Sequence, residues 1–293
     1  MTVMDTKKEA AEHPAPSSRF GGVTTAMSVD EVSRQAQALK ASGPDPAALD
    51  ALAGANIHLR IEHLRAGYGK MEILHDFSLA IGRGRSLCLI GPNGAGKSTV
   101  LHSIFGFTNI FAGSVKVGGK DVTRLSPKEK LRRAGIAYIL QDNSVFPGMT
   151  VEENLLMGGY LTATGSEAKA AAERVFAKYD RLRQRRDAKA GTLSGGERRL
   201  LEIARALIMS PEILLIDEPS IGLEPRFIDM VFEILTDLQR SEGKTIVMVE
   251  QNAKKGLEFA DIGYVLVAGE LAMAGPGSEL IENPEIGRLF LGG

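Results

Sequence analysis

Residues 89–101 read LIGPNGAGKSTVL, and this stretch decides the fold class. The apolar run SLCLI precedes the loop at residues 86–90, and residues 98–105 continue as an apolar-rich segment typical of a buried helix. Residues 91–98 fit the pattern G-x-x-x-x-G-K-[ST], in which a glycine-rich loop joins a strand to a helix. Glycines let the loop turn its N–H groups inward, and the helix N-terminus adds partial positive charge. The loop is predicted to bind a nucleoside triphosphate rather than to serve as a flexible turn.

Two side chains of the loop have a defined chemistry. Lys97 is expected to reach the outer phosphates, and the Ser98 hydroxyl is expected to bind a magnesium ion. The loop residues predicted to contact the nucleotide are Gly91, Pro92, Asn93, Gly94, Ala95, Gly96, Lys97, Ser98 and Thr99. Many families share this loop, so it predicts a ligand without naming a function.

A second apolar run ends in two carboxylates. Residues 213–216 read ILLI, as in a parallel strand covered on both faces, and Asp217, Glu218 and Pro219 follow. Open α/β sheets bind their ligands at the carboxyl ends of such strands. We expect Asp217 to hold magnesium through a water molecule, and Glu218 to orient and polarise the attacking water. The alternative is a solvated acidic turn.

The segment LSGGE lies at residues 193–197, between the loop and the carboxylates. Ser194, Gly195 and Gly196 are predicted to form a second anion site, because a hydroxyl, two glycine N–H groups and a helix N-terminus coincide there. Alone, such a segment is a weak signal and is usually a linker. The helix predicted after it carries apolar residues on one face, at Leu200, Ile203, Ala204, Leu207 and Ile208.

The order of the remaining segments predicts an α/β fold. Apolar and polar residues alternate in IHLRIEHL from Ile57 onward, as in a half-exposed strand, and FSLAI at residues 77–81 is a further strand. After the loop, helical and strand segments alternate to the end, without an internal repeat. This pattern predicts a largely parallel sheet with a few antiparallel strands in front of it.

Residues 1–56 differ from the rest and are predicted to form a mostly disordered tail before a domain at residues 57–293. They are rich in Ala, Ser, Pro, Asp and Glu, and they contain the breakers HPAPSS and SGPDP. Within the tail only residues 28–41 (SVDEVSRQAQALKA) are expected to be helical, with Ser28 as the cap. A docking segment is the alternative reading.

Composition and charge disfavour several classes of function. The formal net charge is −1, so no overall positive field attracts nucleic acid or anionic lipid. Because Cys88 is the single cysteine, an internal disulfide is excluded, which fits a reducing compartment. Its apolar surroundings predict that Cys88 is buried and serves packing. No apolar run is long enough to cross a bilayer, and the N-terminus lacks the apolar centre of a signal peptide. We expect a cytosolic protein whose five histidines bind no metal.

Together these motifs resemble the nucleotide-binding subunit of an ATP-binding cassette (ABC) transporter over residues 57–293. GPNGAGKST, LSGGE and ILLIDEP occur in that family's order, and SIGLEP at residues 220–225 matches the loop after the carboxylates. The resemblance implies a phosphate-loop (RecA-like) nucleotide-binding core, an antiparallel β subdomain, and a helical subdomain inserted at about residues 142–200. It also implies hydrolysis of ATP with Mg²⁺ by a dimer, in which each site combines one subunit's phosphate loop with the other subunit's LSGGE.

The resemblance assigns further site residues. Tyr68, in AGYGKMEIL, matches the aromatic residue that stacks on adenine, and Gln141, in YILQDNSVFPGMTVEENL, matches the glutamine that touches magnesium and senses the transmembrane partner. Gln251 stands where the family usually has a histidine; it can hydrogen-bond a γ-phosphate but cannot carry a proton. Glu224 replaces the usual aspartate of the following loop. Either change is expected to slow hydrolysis at the site it serves.

The sequence VEQN at residues 249–252 narrows the resemblance. With SIGLEP and the C-terminal FLGG, it is similar to one ATPase of the branched-chain amino acid importers, a subclass that includes relatives for urea and short amides. Those importers usually pair two non-identical ATPases, so a partner with histidine is expected to compensate partly for Gln251. The implied partners are transmembrane permease subunits, a second ATPase subunit and, indirectly, a periplasmic binding protein. The implied location is the cytoplasmic face of the membrane.

Two sequence segments and the class of ATPase each have more than one interpretation. Residues 146–149 (FPGM) are expected to line a groove facing the permease, although each residue singly fits ordinary loop packing. The basic stretch RLRQRR at residues 181–186 lacks interleaved aromatics, so a solvated helix end is favoured over nucleic-acid binding. A soluble non-transport ABC ATPase is disfavoured because a second cassette and a long coiled-coil insertion are missing from the sequence. LSGGE disfavours an unrelated kinase or GTPase.

Overall fold

The computed structural model describes residues 44–141, 144–162 and 164–290. The strands in these residues are β1 (Ile57–Tyr68), β2 (Met71–Gly82), β3 (Ser86–Ile90), β4 (Asn109–Val117), β5 (Lys120–Asp121), β6 (Ile136–Ile139), β7 (Ile213–Asp217), β8 (Thr245–Val249), β9 (Ile262–Val267) and β10 (Glu270–Pro276). The helices are α1 (Pro46–Ala53), α2 (Lys97–Phe105), α3 (Pro127–Ala134), α4 (Val151–Gly158), α5 (Gly165–Lys178), α6 (Asp180–Gln184), α7 (Gly195–Leu207), α8 (Pro225–Arg240), α9 (Ala253–Phe259), α10 (Gly277–Glu282) and α11 (Pro284–Phe290). None of these described helices is long and apolar enough to span a bilayer.

The larger sheet positions the phosphate loop. Within the described residues it has six strands in the order β10-β9-β3-β8-β7-β6. Strands β3, β7 and β8 are completely buried, and parallel pairing extends from β9 through β3, β8 and β7 to β6. Leu89 at the end of β3 and Asp217 at the end of β7 both lie in register with Val249 at the end of β8. The loop after β3 and the carboxylates after β7 therefore meet at one edge of the sheet.

The smaller sheet is antiparallel and lies in front of the first. In the described part of the chain its order is β2-β1-β4-β5. Leu64 and Phe77 of this sheet belong to the same hydrophobic cluster as Leu89 and Tyr264 of the larger sheet, so the two sheets share one core. The predicted fold class, a parallel phosphate-loop core with an antiparallel β part and an inserted helical part, is confirmed.

The segment between β6 and β7 builds a helical layer. Helices α4, α5 and α6 and one face of α7 share a separate hydrophobic cluster that includes Val151, Phe176 and Leu200. The Asn154 side chain closes the turn before α4, because it accepts from the Phe146 N–H at 2.8 Å and donates to the Phe146 carbonyl at 3.0 Å. The domain limits given above, including about 142–200 for this layer, remain predictions.

Helix α1 is not predicted by the sequence pattern, which reads residues 42–46 (SGPDP) as a breaker. Asp45 caps the helix by accepting from the Ala48 N–H at 2.7 Å, and proline at the first helical position is favourable because its missing N–H would have no partner there. Leu49 and Ala53 are buried against the core. Arg60 Nη2 of β1 forms a salt bridge with Asp50 Oδ1 of the helix at 2.7 Å. Residues 46–53 of the predicted tail therefore form a capped helix packed against the domain, and the boundary at residue 56 remains a prediction. The helix predicted at residues 28–41 lies outside the described residues.

Candidate nucleotide-binding site

The loop between β3 and α2 has a backbone that requires glycine. Gly91 has a φ of 149°, and a Cβ there would lie 2.1 Å from the Leu266 carbonyl oxygen. Gly96, the residue before α2, has a φ of 98° in the left-handed region. The N–H groups of the first turn of any α-helix have no helical carbonyl to bind. The loop therefore leaves those donors and the positive end of the helix dipole at the start of α2.

Lys97 lies inside this loop. Its Nζ donates to the carbonyl oxygens of Gly91 at 2.8 Å and Pro92 at 3.0 Å, and the side chain is buried. Burial lowers the pKa of Lys97, and the nearby Glu218 and Asp217 carboxylates oppose that shift. A partly desolvated cation thus faces the two carboxylates across the site, in a position to exchange its carbonyl partners for phosphate oxygens.

Asp217, the last residue of β7, and Ser98, in the first turn of α2, come together although they are far apart in sequence. The Ser98 hydroxyl donates to Asp217 Oδ1 at 3.1 Å, and the Tyr138 hydroxyl donates to Asp217 Oδ2 at 2.8 Å. Burial raises the pKa of Tyr138, and the Asp217 charge raises it further, so this phenol stays a donor. Carboxylate and hydroxyl oxygens are ligands that Mg²⁺ prefers, so these side chains fit that ion. Within the described residues no group of three or more His, Cys, Asp or Glu forms a separate metal site.

Glu218 has a constrained backbone and a defined neighbour. Its φ is 44°, a left-handed conformation that costs a non-glycine residue on the order of 1–3 kcal/mol. The Glu218 N–H donates to the Val249 carbonyl at 2.9 Å, and Gln141 Nε2 donates to Glu218 Oε2 at 3.1 Å. The Glu218 backbone is thus anchored to β8, and its carboxylate is held by Gln141.

The turn after β8 holds Gln251 at the same edge of the sheet, with an exposed side chain. The preceding residue, Glu250, is buried and was not singled out in the sequence. It accepts from the Ser220 hydroxyl at 2.7 Å, the Ser220 N–H at 3.2 Å and the Asn252 N–H at 2.8 Å. Glu250 therefore joins the Gln251 turn to the loop after Glu218. A charged residue directly after a wholly apolar strand is the sequence signal that could have indicated it.

Tyr68 lies at the end of β1, beside the helix that leaves the phosphate loop. Its ring is 43% exposed, and its hydroxyl shares a hydrogen bond of 2.5 Å with Nδ1 of His102 on α2. Burial lowers the pKa of His102. The His102 ring also contacts Phe107 and Tyr138, with centroid distances of 5.7 Å and 5.6 Å. Tyr68 is thus held against α2 through His102 while remaining partly exposed.

The Ser194–Gly196 segment forms the start of α7. Ser194 caps α7 in a reciprocal capping box with Glu197, and Gly196 is so close to Phe227 that a Cβ would lie 2.2 Å from the ring. Among the described residues no hydrogen bond joins this segment to residues 91–98. The two predicted anion sites are therefore not joined by hydrogen bonds in the described part of the chain.

A groove of about 560 Å³ separates β6 from the helical layer. Phe146 and Tyr160 line it and are exposed, and the Arg205 guanidinium lies 5.6 Å from the centre of the Phe146 ring. The basic stretch at residues 181–186 does not face this groove as a free cationic patch. Its Arg186 is paired with Glu152 at 2.5 Å and with Glu173 at 2.7 Å.

A glycine-rich loop after a central parallel strand, with a carboxylate at the end of a nearby strand, is the arrangement of phosphate-loop nucleoside triphosphatases. Comparison with known proteins specifies the class. The ABC transporter family profile matches residues 74–221. The high-affinity branched-chain amino acid transport ATP-binding protein BraG of Pseudomonas aeruginosa is 41% identical over 235 residues, which cover 80% of this chain and 100% of BraG.

Two further proteins agree with this assignment. The probable branched-chain amino acid transport ATP-binding protein LivF of Archaeoglobus fulgidus is 39% identical over 234 residues, covering 80% of this chain and 98% of LivF. The crystal structure of an ATP-binding cassette of an ABC transporter in its ADP conformation superposes with a TM-score of 0.71 at 29% identity, covering 82% of this chain and 100% of that one. The chain belongs to the ABC transporter ATP-binding family, and it is an ATPase.

Proposed function

We propose that this chain is the ATP-hydrolysing subunit of an ABC importer for branched-chain or other hydrophobic amino acids. The observation that carries the proposal is the match to BraG and LivF, at 41% and 39% identity over nearly the whole of each relative. The chain would act on the cytoplasmic face of the membrane, bound to transmembrane permease subunits. The exposed apolar groove between β6 and the helical layer supports such a partner, because exposed apolar patches mark contact surfaces.

In this proposal, the phosphate loop holds the outer phosphates of ATP. The first-turn amides of α2 and the positive end of that helix attract the phosphate oxygens. Lys97, now bound to two loop carbonyls, turns toward the β- and γ-phosphates and offsets their charge. Adenine stacks on Tyr68, whose ring is exposed beside the same helix.

A magnesium ion, when bound, supplies positive charge next to the transferred phosphoryl group. Ser98, Asp217 and Gln141 are the residues proposed to hold it, Asp217 through a water molecule. The bond from the Ser98 hydroxyl to Asp217 supports this grouping, because both groups are oxygen ligands facing one space.

Glu218 is proposed to orient and polarise the attacking water. Its carboxylate hydrogen-bonds to Gln141 at 3.1 Å, and its backbone is anchored to β8. In phosphoryl transfer the protein mainly positions groups and stabilises charge, so a carboxylate held in a fixed position suits this role.

A complete site is proposed to need two ATPase subunits. No hydrogen bond joins the Ser194–Gly196 segment to the chain's own phosphate loop within the described residues, which supports its use on the nucleotide of a second subunit. We propose that the second subunit is a different ATPase with histidine at the position of Gln251, because glutamine cannot carry a proton. Turnover of the purified chain should then rise when that partner is added. High turnover by the isolated chain would contradict a need for the partner.

Transport measurements test which substrate class the complex imports. The chain is to be purified with its permease and second ATPase, reconstituted in liposomes with the periplasmic binding protein, and supplied with ATP on the cytoplasmic side. Uptake of leucine, isoleucine or valine is expected, and a complex with Glu218→Gln should bind ATP without uptake. Uptake of urea or acetamide instead would assign the chain to the urea and short-amide relatives. A chain that forms no complex with a permease would be a soluble ABC ATPase.

A further inference from the structure

Arg199 on α7 is buried, and its guanidinium spans three partners. The Nη1 group donates to the Leu140 carbonyl at 2.8 Å and to Glu202 Oε2 at 2.8 Å, and the Nη2 group donates to the Asp217 carbonyl at 3.2 Å. The side chain is 5% exposed. Leu140 and Asp217 are separated by 77 residues in sequence, so a single side chain joins two distant segments.

The two carbonyls that Arg199 binds belong to the residues immediately before Gln141 and Glu218. Those two side chains are hydrogen-bonded to each other at 3.1 Å. The guanidinium therefore fixes the distance between the backbone carrying Gln141 and the backbone carrying Glu218.

The geometry requires arginine. A guanidinium has five N–H donors in a rigid planar fork, whereas a lysine ammonium is a compact point charge on a flexible stem. Lysine at this position would keep the positive charge beside Glu202 but could not hold both carbonyls at their present separation. Glu202 is itself buried and also lines the groove between β6 and the helical layer. The Arg199–Glu202 pair thus links that groove to the two site segments.

We propose that Arg199 is a positioning residue for ATP hydrolysis: it acts through the backbone to hold Gln141 and Glu218 in register. This inference rests on the proposed role of Glu218. The hydrogen bonds described for Arg199 go neither to the phosphate loop nor to Lys97, which carry most of the proposed contact with ATP, so ATP affinity should depend on Arg199 only weakly. Misplacement of reacting groups by about 1 Å can cost on the order of 100-fold in rate. Loss of the fork should therefore lower kcat by about 10- to 100-fold and leave KM for ATP nearly unchanged.

Arg199→Lys tests the inference in the full chain, assembled with the subunits that its ATPase activity needs. The matched control is Arg198→Lys, the same substitution at the neighbouring, partly exposed position. We expect wild-type kcat for the control, and a kcat reduced by about 10- to 100-fold with unchanged KM for Arg199→Lys. A wild-type kcat for Arg199→Lys, or an effect confined to KM, would overturn the inference.

Two further variants separate positioning from mere folding and from the role of Glu218. In a Glu218→Gln background, adding Arg199→Lys should lower turnover much less than it does in the wild type, because Arg199 acts largely through the position of Glu218; an additive loss would overturn the inference. If Arg199→Lys fails to fold, Arg199→Met with Glu202→Met removes the buried charges together, which proteins tolerate better than removal of one partner. That double variant should bind ATP and turn it over slowly, and wild-type turnover would refute the positioning role. Wild-type turnover by Glu218→Gln alone would refute the proposed function instead.

Discussion

Replacement of Lys130 by methionine should flatten the pH dependence of stability above pH 8. Lys130 is completely buried on α3, and its Nζ donates to the carbonyl oxygens of Ser103 at 3.3 Å and Ile104 at 2.6 Å. These carbonyls lie in the last turn of α2, the helix that begins in the phosphate loop. Burial lowers the pKa of Lys130 from 10.5 to about 8, and Asp121 opposes the shift.

The sign and size of the effect follow from proton linkage. Between pH 8 and 10.5 the unfolded chain keeps the proton on this lysine and the folded chain loses it. The free energy of unfolding therefore rises with pH in that interval, because the unfolded state binds more protons. The difference between the two pKa values corresponds to a gain on the order of 3 kcal/mol across the interval. Below pH 8 both states are protonated, and the group adds no pH dependence.

Chemical denaturation at a series of pH values from 7 to 10 measures this effect. The matched control is Lys128→Met, which removes an exposed lysine from the same helix. From pH 8 to 10, the wild type and the control should gain stability relative to Lys130→Met, by about 2 to 3 kcal/mol. Parallel curves for all three proteins would show that burial does not shift the Lys130 pKa, and would refute the reasoning.

Three further substitutions address the site. Gly91→Ala places a Cβ 2.1 Å from a carbonyl oxygen, so thermal stability and ATP binding should both fall, whereas Gly148→Ala, where a Cβ meets nothing within 4 Å, should leave both unchanged. Glu250→Gln puts an amide donor against groups that now donate to a buried carboxylate, and should lower stability by about 1–3 kcal/mol in denaturation experiments; an unchanged midpoint would contradict the network. Ser98→Ala should raise the Mg²⁺ concentration for half-maximal turnover, measured by titration at saturating ATP; an unchanged midpoint would remove Ser98 from the metal site.

The sequence predicted the central strands, the phosphate loop and the carboxylates, because each depends on residues close together in the chain. The uninterrupted apolar runs at residues 86–90 and 213–216 became buried parallel strands because such strands are covered on both faces. The spacing of Gly91, Lys97 and Ser98 predicted the loop and the helix after it, because the glycines satisfy backbone conformations that other residues reach only with strain. The carboxylates met the loop because parallel strands share one carboxyl edge.

The residues that were missed depend on contacts between distant segments. Arg199 binds Leu140 across 59 residues, and no local pattern states which carbonyl a buried guanidinium will reach. The position of Arg199 on α7 does indicate burial, because residue 199 lies one turn before Ile203, on the same face as the apolar residues of the helix. Helix α1 was missed for another reason: proline and aspartate were read as breakers, although the same residues begin helices.

The measurement that tests the central claim most directly compares ATP binding and ATP turnover for Glu218→Gln in the full chain, assembled with the subunits its activity needs. If Lys97 and the loop amides hold the phosphates while Glu218 aims the water, the variant should bind Mg-ATP as tightly as the wild type. Its turnover should fall by roughly 100-fold or more, the range for removal of a group that handles the water's proton. Unchanged turnover, or a wild-type chain that binds no Mg-ATP, would contradict the account.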